Sequence, residues 1–102
     1  MGENYEAIII GGGHNGLVAA AYLAKAGMKV TVLEQRPVLG GVAATEDIFP
    51  GFKFNTGAHD AGLFRQEIID GLELQKHGLE FLESPVTVFA PQPDGTHLIL
   101  RN

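Results

Sequence analysis

Ala7-Ile8-Ile9-Ile10-Gly11-Gly12-Gly13-His14-Asn15-Gly16-Leu17 is the stretch on which the fold turns. Its first four residues are apolar and mostly β-branched, and glycines stop the run, as in a parallel strand buried on both faces. From Asn15 to Ala26 the sequence is rich in Ala and Leu, the composition of a helix, and Gly27 stands where it would end one. Lys29-Val30-Thr31-Val32-Leu33-Glu34 then reads as a second strand. Strand, helix and strand together fill about 30 residues, the size of one βαβ unit.

Gly11, Gly13 and Gly16 form a G-x-G-x-x-G pattern. Alone the pattern is weak; lying between a strand and a helix, it has the context of a dinucleotide-binding loop. Gly11 would permit the tight turn out of the strand. Gly13 would let the backbone approach a pyrophosphate, and Gly16 would let helix and strand pack closely. Phosphates would sit at the start of the helix, where unpaired N–H groups and the dipole favour negative charge. Asn15 reads as a helix cap or a phosphate contact, and His14 as either a cofactor contact or a solvent-facing loop residue. Glu34 follows Gly11 by 23 residues, where a carboxylate accepts hydrogen bonds from ribose hydroxyls and repels a 2′-phosphate.

Outward from this unit the signals weaken. Gln35 to Phe49 reads as a loop or irregular helix, and Gly51-Phe52-Lys53-Phe54-Asn55 alternates weakly, like a short strand. Arg65 to Leu74 has Ile68, Ile69 and Leu72 at helical spacing for core packing, with Glu67, Asp70 and Glu73 facing solvent and Gly78 capping a continuation. Leu79 to Glu83 reads as another strand. Val86 to Ala90 and Thr96 to Leu100 flank the turn-rich Pro91-Gln92-Pro93-Asp94-Gly95, the pattern of a β-hairpin. A parallel nucleotide-binding sheet needs more strands and helices than this to cover both faces. The expected fold is therefore α/β: a Rossmann-like βαβ unit with a C-terminal β-hairpin in an incomplete domain. Residues 1–60 hold the binding core and Gly-Gly loop, and residues 61–102 a helix and hairpin leading toward a substrate domain.

Composition removes several function classes. The 102 residues suffice for one compact domain, and 45% hydrophobic with 19% charged residues is an ordinary globular balance. A formal charge of −5 with scattered Lys and Arg leaves no footprint for nucleic acid or anionic membranes. With no cysteine, disulfides, thiolate metal sites and cysteine nucleophiles drop out, and a reducing, cytoplasmic setting is expected. The opening Met1-Gly2-Glu3-Asn4-Tyr5-Glu6 is acidic, unlike a signal peptide. The longest apolar stretch, Leu17 to Ala24, has eight residues, against the roughly 20 of a membrane span. No His or carboxylate spacing suits a metal, and His77 and His97 read as surface residues. Asn55-Thr56-Gly57-Ala58-His59-Asp60 is the other notable polar cluster, with an exposed turn as its plain reading.

Taken with Arg36 and Gly40-Gly41, these segments resemble the flavoprotein oxidoreductases with two dinucleotide-binding motifs. The resemblance is to their phytoene desaturase-like branch, next to the carotenoid desaturases and amine oxidases. It is carried by residues 8–17, by Val30-Thr31-Val32-Leu33-Glu34-Gln35-Arg36, by Gly40-Gly41 through Thr45, and by Phe49-Pro50-Gly51-Phe52. It implies FAD as cofactor, with Gly11, Gly13, His14, Asn15, Gly16, Glu34, Gln35, Arg36, Gly40 and Gly41 at the binding site. It further implies that Arg36 and the glycine pair run along the diphosphate and ribitol, and that His59 lies near the flavin or the substrate channel. Val42 departs from relatives that carry Arg after the glycine pair, which favours the desaturase-like branch over the amine oxidases. The implied activity is oxidation or reduction of an apolar small molecule by a parent enzyme whose catalytic residues the sequence does not identify. Two other readings are an NAD-dependent dehydrogenase, which needs no second motif after Glu34, and a non-catalytic module that binds dinucleotide weakly or self-associates through exposed surface.

Overall fold

The computed structural model describes residues 4–101; Met1, Gly2 and Glu3 of the acidic N-terminal stretch lie outside them. The expected βαβ unit is present. Strand β1 (Ala7–Ile10) leads into helix α1 (His14–Lys25), which returns to strand β2 (Val30–Leu33). The strands are parallel, with Ala7 opposite Val30 and Ile10 opposite Leu33. Below them Lys29 O accepts the Glu6 amide at 2.8 Å, while the Glu6 carboxylate accepts the Lys29 amide at 2.9 Å. Helix α1 ends at Ala26, and Gly27, at φ 93°, makes the left-handed exit that a side chain would oppose.

Burial on both faces of β1 does not hold. Ala7 and Ile9 are half-buried, while Ile8 and Ile10 are 59% and 88% exposed. Helix α1 packs on one face of the two strands, and no other element covers the opposite face among the described residues.

The segment read as a loop from Gln35 to Phe49 is more regular than expected. It holds a 3-10 turn at Gly41–Ala43 and strand β3 (Thr45–Phe49), which pairs antiparallel with β4 (Phe52–Asn55) around a bulge between Asp47 and Phe49. Beyond the ladder, Ala44 O accepts Thr56 N at 3.2 Å and Val42 O accepts Ala58 N at 2.7 Å, so the hairpin runs back to the 3-10 turn.

Helix α2 (Gln66–Gly71) is shorter than its periodicity predicts. Glu73 takes a left-handed conformation, φ 52°, and the chain tightens into a 3-10 turn at Leu74–His77 that ends on Gly78 at φ 93°. The break follows the contact with α1. Lys25 Nζ donates to Gly71 O at 2.6 Å, and a Cβ on Gly71 would collide with the Tyr22 hydroxyl. Of the three apolar helix positions, Ile69 is buried and Ile68 and Leu72 are half-buried, while Glu67, Asp70 and Glu73 are exposed. Residues 79–83 form no strand.

The C-terminal hairpin is present as β5 (Val88–Pro91) and β6 (His97–Leu100), two residues later at its start than the sequence suggests. Pro91, expected in the turn, closes β5 instead; at the end of a two-stranded ribbon its missing N–H is tolerated. The turn is held by Asp94 Oδ1, which accepts Thr96 N at 2.9 Å and Thr96 Oγ1 at 2.6 Å. Ala44 and Ile69 are the buried apolar residues, and no helix among the described residues is long and apolar enough to cross a membrane.

Candidate dinucleotide site

The backbone leaves β1 through Gly11, at φ 101°, whose amide still bonds Leu33 O at 2.7 Å. Gly13 then stands at the helix N-cap in an extended conformation, without a side chain to cap the helix. Asn15, expected as a cap, lies one residue inside α1 and caps nothing, because the helix begins at His14. Leu17 N is the first to reach back to an i−4 carbonyl, Gly13 O at 2.9 Å. The N–H groups of His14, Asn15 and Gly16 therefore have no carbonyl partner within the helix. They border an open groove of about 340 Å³ lined by Ile10, Gly11, Gly13, His14, Asn15, Gly16 and Val42. Unpaired N–H groups at a helix start, with no carboxylate among the lining residues, suit a phosphate-bearing ligand.

The glycines differ in what a side chain would meet. A Cβ on Gly16 would press on the Gly11 carbonyl oxygen and come within 3.2 Å of Ile9 Cγ2, so helix and strand meet there with nothing between them. At Gly13 the nearest atom is Gly41 Cα at 3.9 Å, and a methyl group would protrude beside the groove without a protein clash.

Gly12, the unspecified position of the sequence pattern, is the buried centre of the loop. Its amide donates to Glu34 Oε2 at 2.7 Å, and its carbonyl accepts Gly40 N at 2.7 Å. A Cβ on Gly12 would come within 2.7 Å of Leu39 Cδ2 and 3.2 Å of Glu34 Oε2. Gly40, at φ 111°, pairs with Gly13 as an isolated parallel bridge, and a Cβ on Gly41 would lie 3.0 Å from Gly13 Cα. The two glycine motifs are thus in backbone contact with each other.

Glu34 joins this contact to the second strand. Oε2 takes the Gly12 amide and Oε1 the Arg36 amide at 2.8 Å. The Arg36 and Gly12 N–H groups favour the ionised carboxylate and hold it below the ordinary carboxylate range, against a small opposing effect of desolvation. Each oxygen retains capacity to accept a further hydrogen bond, as from a ribose hydroxyl.

Arg36, which the resemblance sets along the diphosphate and ribitol, is paired with Glu46. Its Nη2 lies 2.8 Å from both Glu46 carboxylate oxygens, and the guanidinium is not among the groups lining the groove. The Arg36 hydrogen bond lowers the Glu46 pKa, with a smaller contribution from Thr56, whose Oγ1 is 3.2 Å from Glu46 Oε2. Gln35, between Glu34 and Arg36, is exposed. His59 pairs with Asp60 at 3.1 Å, its side chain open to solvent and away from the groove lining. His77 and His97 are exposed, His97 beside the Phe89 ring.

Gly12, Leu39 and Glu46 are the residues at the site that sequence reading passes over, and Val42, noted in the sequence only for departing from an Arg, lines the groove. The run of three glycines is a signal for Gly12, since a middle glycine between two motif glycines is superfluous unless it is itself enclosed. Glu46 carries no comparable signal, because its partner is ten positions away across an irregular segment.

The sequence profile of the family described as NAD(P)-binding Rossmann-like domain matches residues 9–63, the part of the chain that contains both glycine motifs, the groove lining, Glu34, Arg36 and Glu46. Among curated proteins, the chain is 48% identical over 93 residues to pyridine nucleotide-disulfide oxidoreductase domain-containing protein 2 of Rattus norvegicus, covering 90% of this chain and 16% of that protein. It is 37% identical over 99 residues to a limonene dehydrogenase polypeptide of Castellaniella defragrans, covering 94% and 18% respectively. Against phytoene desaturase of Neurospora crassa it is 40% identical over 81 residues, covering 76% and 14%. The chain thus spans less than a fifth of the length of these relatives. With a glycine loop between parallel strand and helix, and a carboxylate at the end of the second strand, the chain belongs to the NAD(P)-binding Rossmann-like domain family.

Proposed function

We propose that this chain is the adenine-dinucleotide-binding portion of an FAD-dependent oxidoreductase. The observation that carries the reading is the backbone contact between Gly12-Gly13 and Gly40-Gly41. A single dinucleotide loop has no use for the second glycine pair, whereas a cofactor extending past its diphosphate needs a second stretch of backbone without side chains beside the first. The N–H groups of His14, Asn15 and Gly16 would receive the diphosphate and Glu34 the ribose. Gly13 and Gly41 would give the cofactor close access, with Gln35 at the rim. FAD, when bound, supplies the redox chemistry between an organic substrate and an electron acceptor. Two relatives are named for limonene and phytoene, both hydrocarbons, which supports an apolar substrate.

The competing cofactor is NAD, in keeping with the family's description. The ionised Glu34 disfavours NADP by repelling its 2′-phosphate. Equilibrating the chain with FAD or NAD and separating free ligand decides between them. FAD retention, visible as a flavin spectrum and lost in Gly13→Leu, is the expected result. Tight NAD binding without FAD retention, or undiminished flavin in Gly13→Leu, overturns the assignment.

A further inference from the structure

Arg36 and Glu46 close a circuit of contacts around the two glycine motifs. It runs from the Gly12 amide to Glu34 Oε2, from Glu34 Oε1 to the Arg36 amide, and from the Arg36 guanidinium to Glu46. Glu46 lies 3.2 Å from Thr56 Oγ1, which is 3.1 Å from Ala44 O. A hydroxyl has one proton, so Thr56 donates to one of these acceptors at a time. Ala44 N returns to Gly41 O at 3.2 Å, and Gly40 N to Gly12 O at 2.7 Å. Ala44, which belongs to this circuit, is one of the two buried apolar residues among the described residues. The segment 37–44 is therefore pinned at both ends, by Glu34 and Arg36 on one side and by Gly12 and Thr56 on the other.

We propose that the Arg36–Glu46 pair is a clasp that holds the Gly40-Gly41 turn against the glycine loop, making Glu46 a positioning residue for dinucleotide binding. Arg36 acts through Glu46 instead of as a counter-ion to the phosphates. The proposal rests on the dinucleotide reading above, but not on the choice between FAD and NAD, because ADP is common to both. A clasp and a phosphate ligand give opposite signs on removing Glu46. If Arg36 served the phosphates, Glu46 would compete for it, and freeing Arg36 would tighten binding. If the pair is a clasp, freeing Arg36 loosens the turn and weakens binding.

The test uses the chain with ADP and with adenosine, and the variants Glu46→Gln, Arg36→Gln, their combination, and Arg36→Lys. Each Gln variant should weaken ADP binding roughly two- to fivefold, the scale of an exposed ion pair. Adenosine binding should fall by a similar factor, and the double variant should be no worse than either single one. Arg36→Lys, which keeps the ion pair, should recover most of the loss. Tighter ADP binding by Glu46→Gln, or a loss in Arg36→Gln confined to ADP, overturns the proposal. Hydrogen exchange at the Gly40 amide in the unliganded chain is the second measurement. Faster exchange in both Gln variants, and recovery in Arg36→Lys, is expected; unchanged Gly40 protection overturns the clasp. A wild-type chain that binds neither FAD nor ADP would sink the functional reading while Gly40 exchange still decides the clasp.

Discussion

Gly13 and Gly16 stand three residues apart and respond to a methyl group in opposite ways. At Gly16 the added Cβ meets the Gly11 carbonyl and Ile9 Cγ2, backbone and strand that cannot both yield. Gly16→Ala should destabilise the βαβ unit by about 1–3 kcal/mol, the range for overpacking, and lower the thermal midpoint. Gly13→Ala meets no protein atom closer than 3.9 Å, and its φ of −75° suits any residue. It should leave the midpoint unchanged and weaken dinucleotide binding alone. Equal thermal losses in the two variants would contradict this division. Glu34 offers a second residue-level test. Its folded-state pKa is lowered by the Arg36 and Gly12 amides, so its contribution is complete above the ordinary carboxylate pKa, near 4.5, and disappears as pH falls through the lowered folded value. Glu46 and Asp94 are lowered too and act with the same sign. Exchange at the Gly12 amide should accelerate as pH falls through the lowered folded pKa of Glu34, relative to its intrinsic pH dependence. In Glu34→Gln it should be fast already at neutral pH, because an amide offers one acceptor oxygen where the carboxylate offers two.

At the level of elements, legibility followed pattern strength. β1, α1 and β2 were readable because apolar β-branched runs and an Ala-rich stretch are bounded by glycines that the backbone requires; Gly11 and Gly27 both have positive φ. β3 was not readable. Thr45-Glu46-Asp47-Ile48-Phe49 has two acidic residues and no alternation, and it is a strand because β4 pairs with it and a bulge absorbs the mismatch. Residues 79–83 have the better strand composition and no strand beside them. The end of α2 was equally hidden, since it depends on Tyr22 and Lys25 of another helix. Gly27→Ala tests the readable class. No atom lies within 4 Å of the added Cβ, so the effect comes from the positive φ alone. A loss of about 1 kcal/mol is expected in urea unfolding; no change would mean that α1 can end without the left-handed residue.

Across the whole molecule, secondary structure is well formed while enclosure is slight. The radius of gyration is 18.2 Å, against about 13 Å for a compact chain of this length. Ile10, Leu63 and Leu82 are 88%, 96% and 90% exposed. Apolar surface on this scale favours association, so the isolated chain should run as concentration-dependent oligomers in light scattering after size-exclusion chromatography. A constant monomer mass at all concentrations would contradict that expectation. The conformation of the glycine loop was legible because its contacts are local or one βαβ unit apart. The clasp was not, since it needs the β3–β4 hairpin to bring Glu46 back to Arg36.

The occupied amide and carbonyl of Gly12 bear on how quickly a ligand could bind. A loop whose central peptide is already tied to Glu34 on one side and Gly40 on the other has little wandering to give up when a guest arrives. Association should then be a single step, set by diffusion and orientation, with no slower rearrangement behind it. Stopped-flow mixing with ADP should trace one exponential whose rate rises linearly with ligand concentration. A rate that saturates would reveal a loop that must first be remade, and would mean that the tie at Gly12 is not permanent.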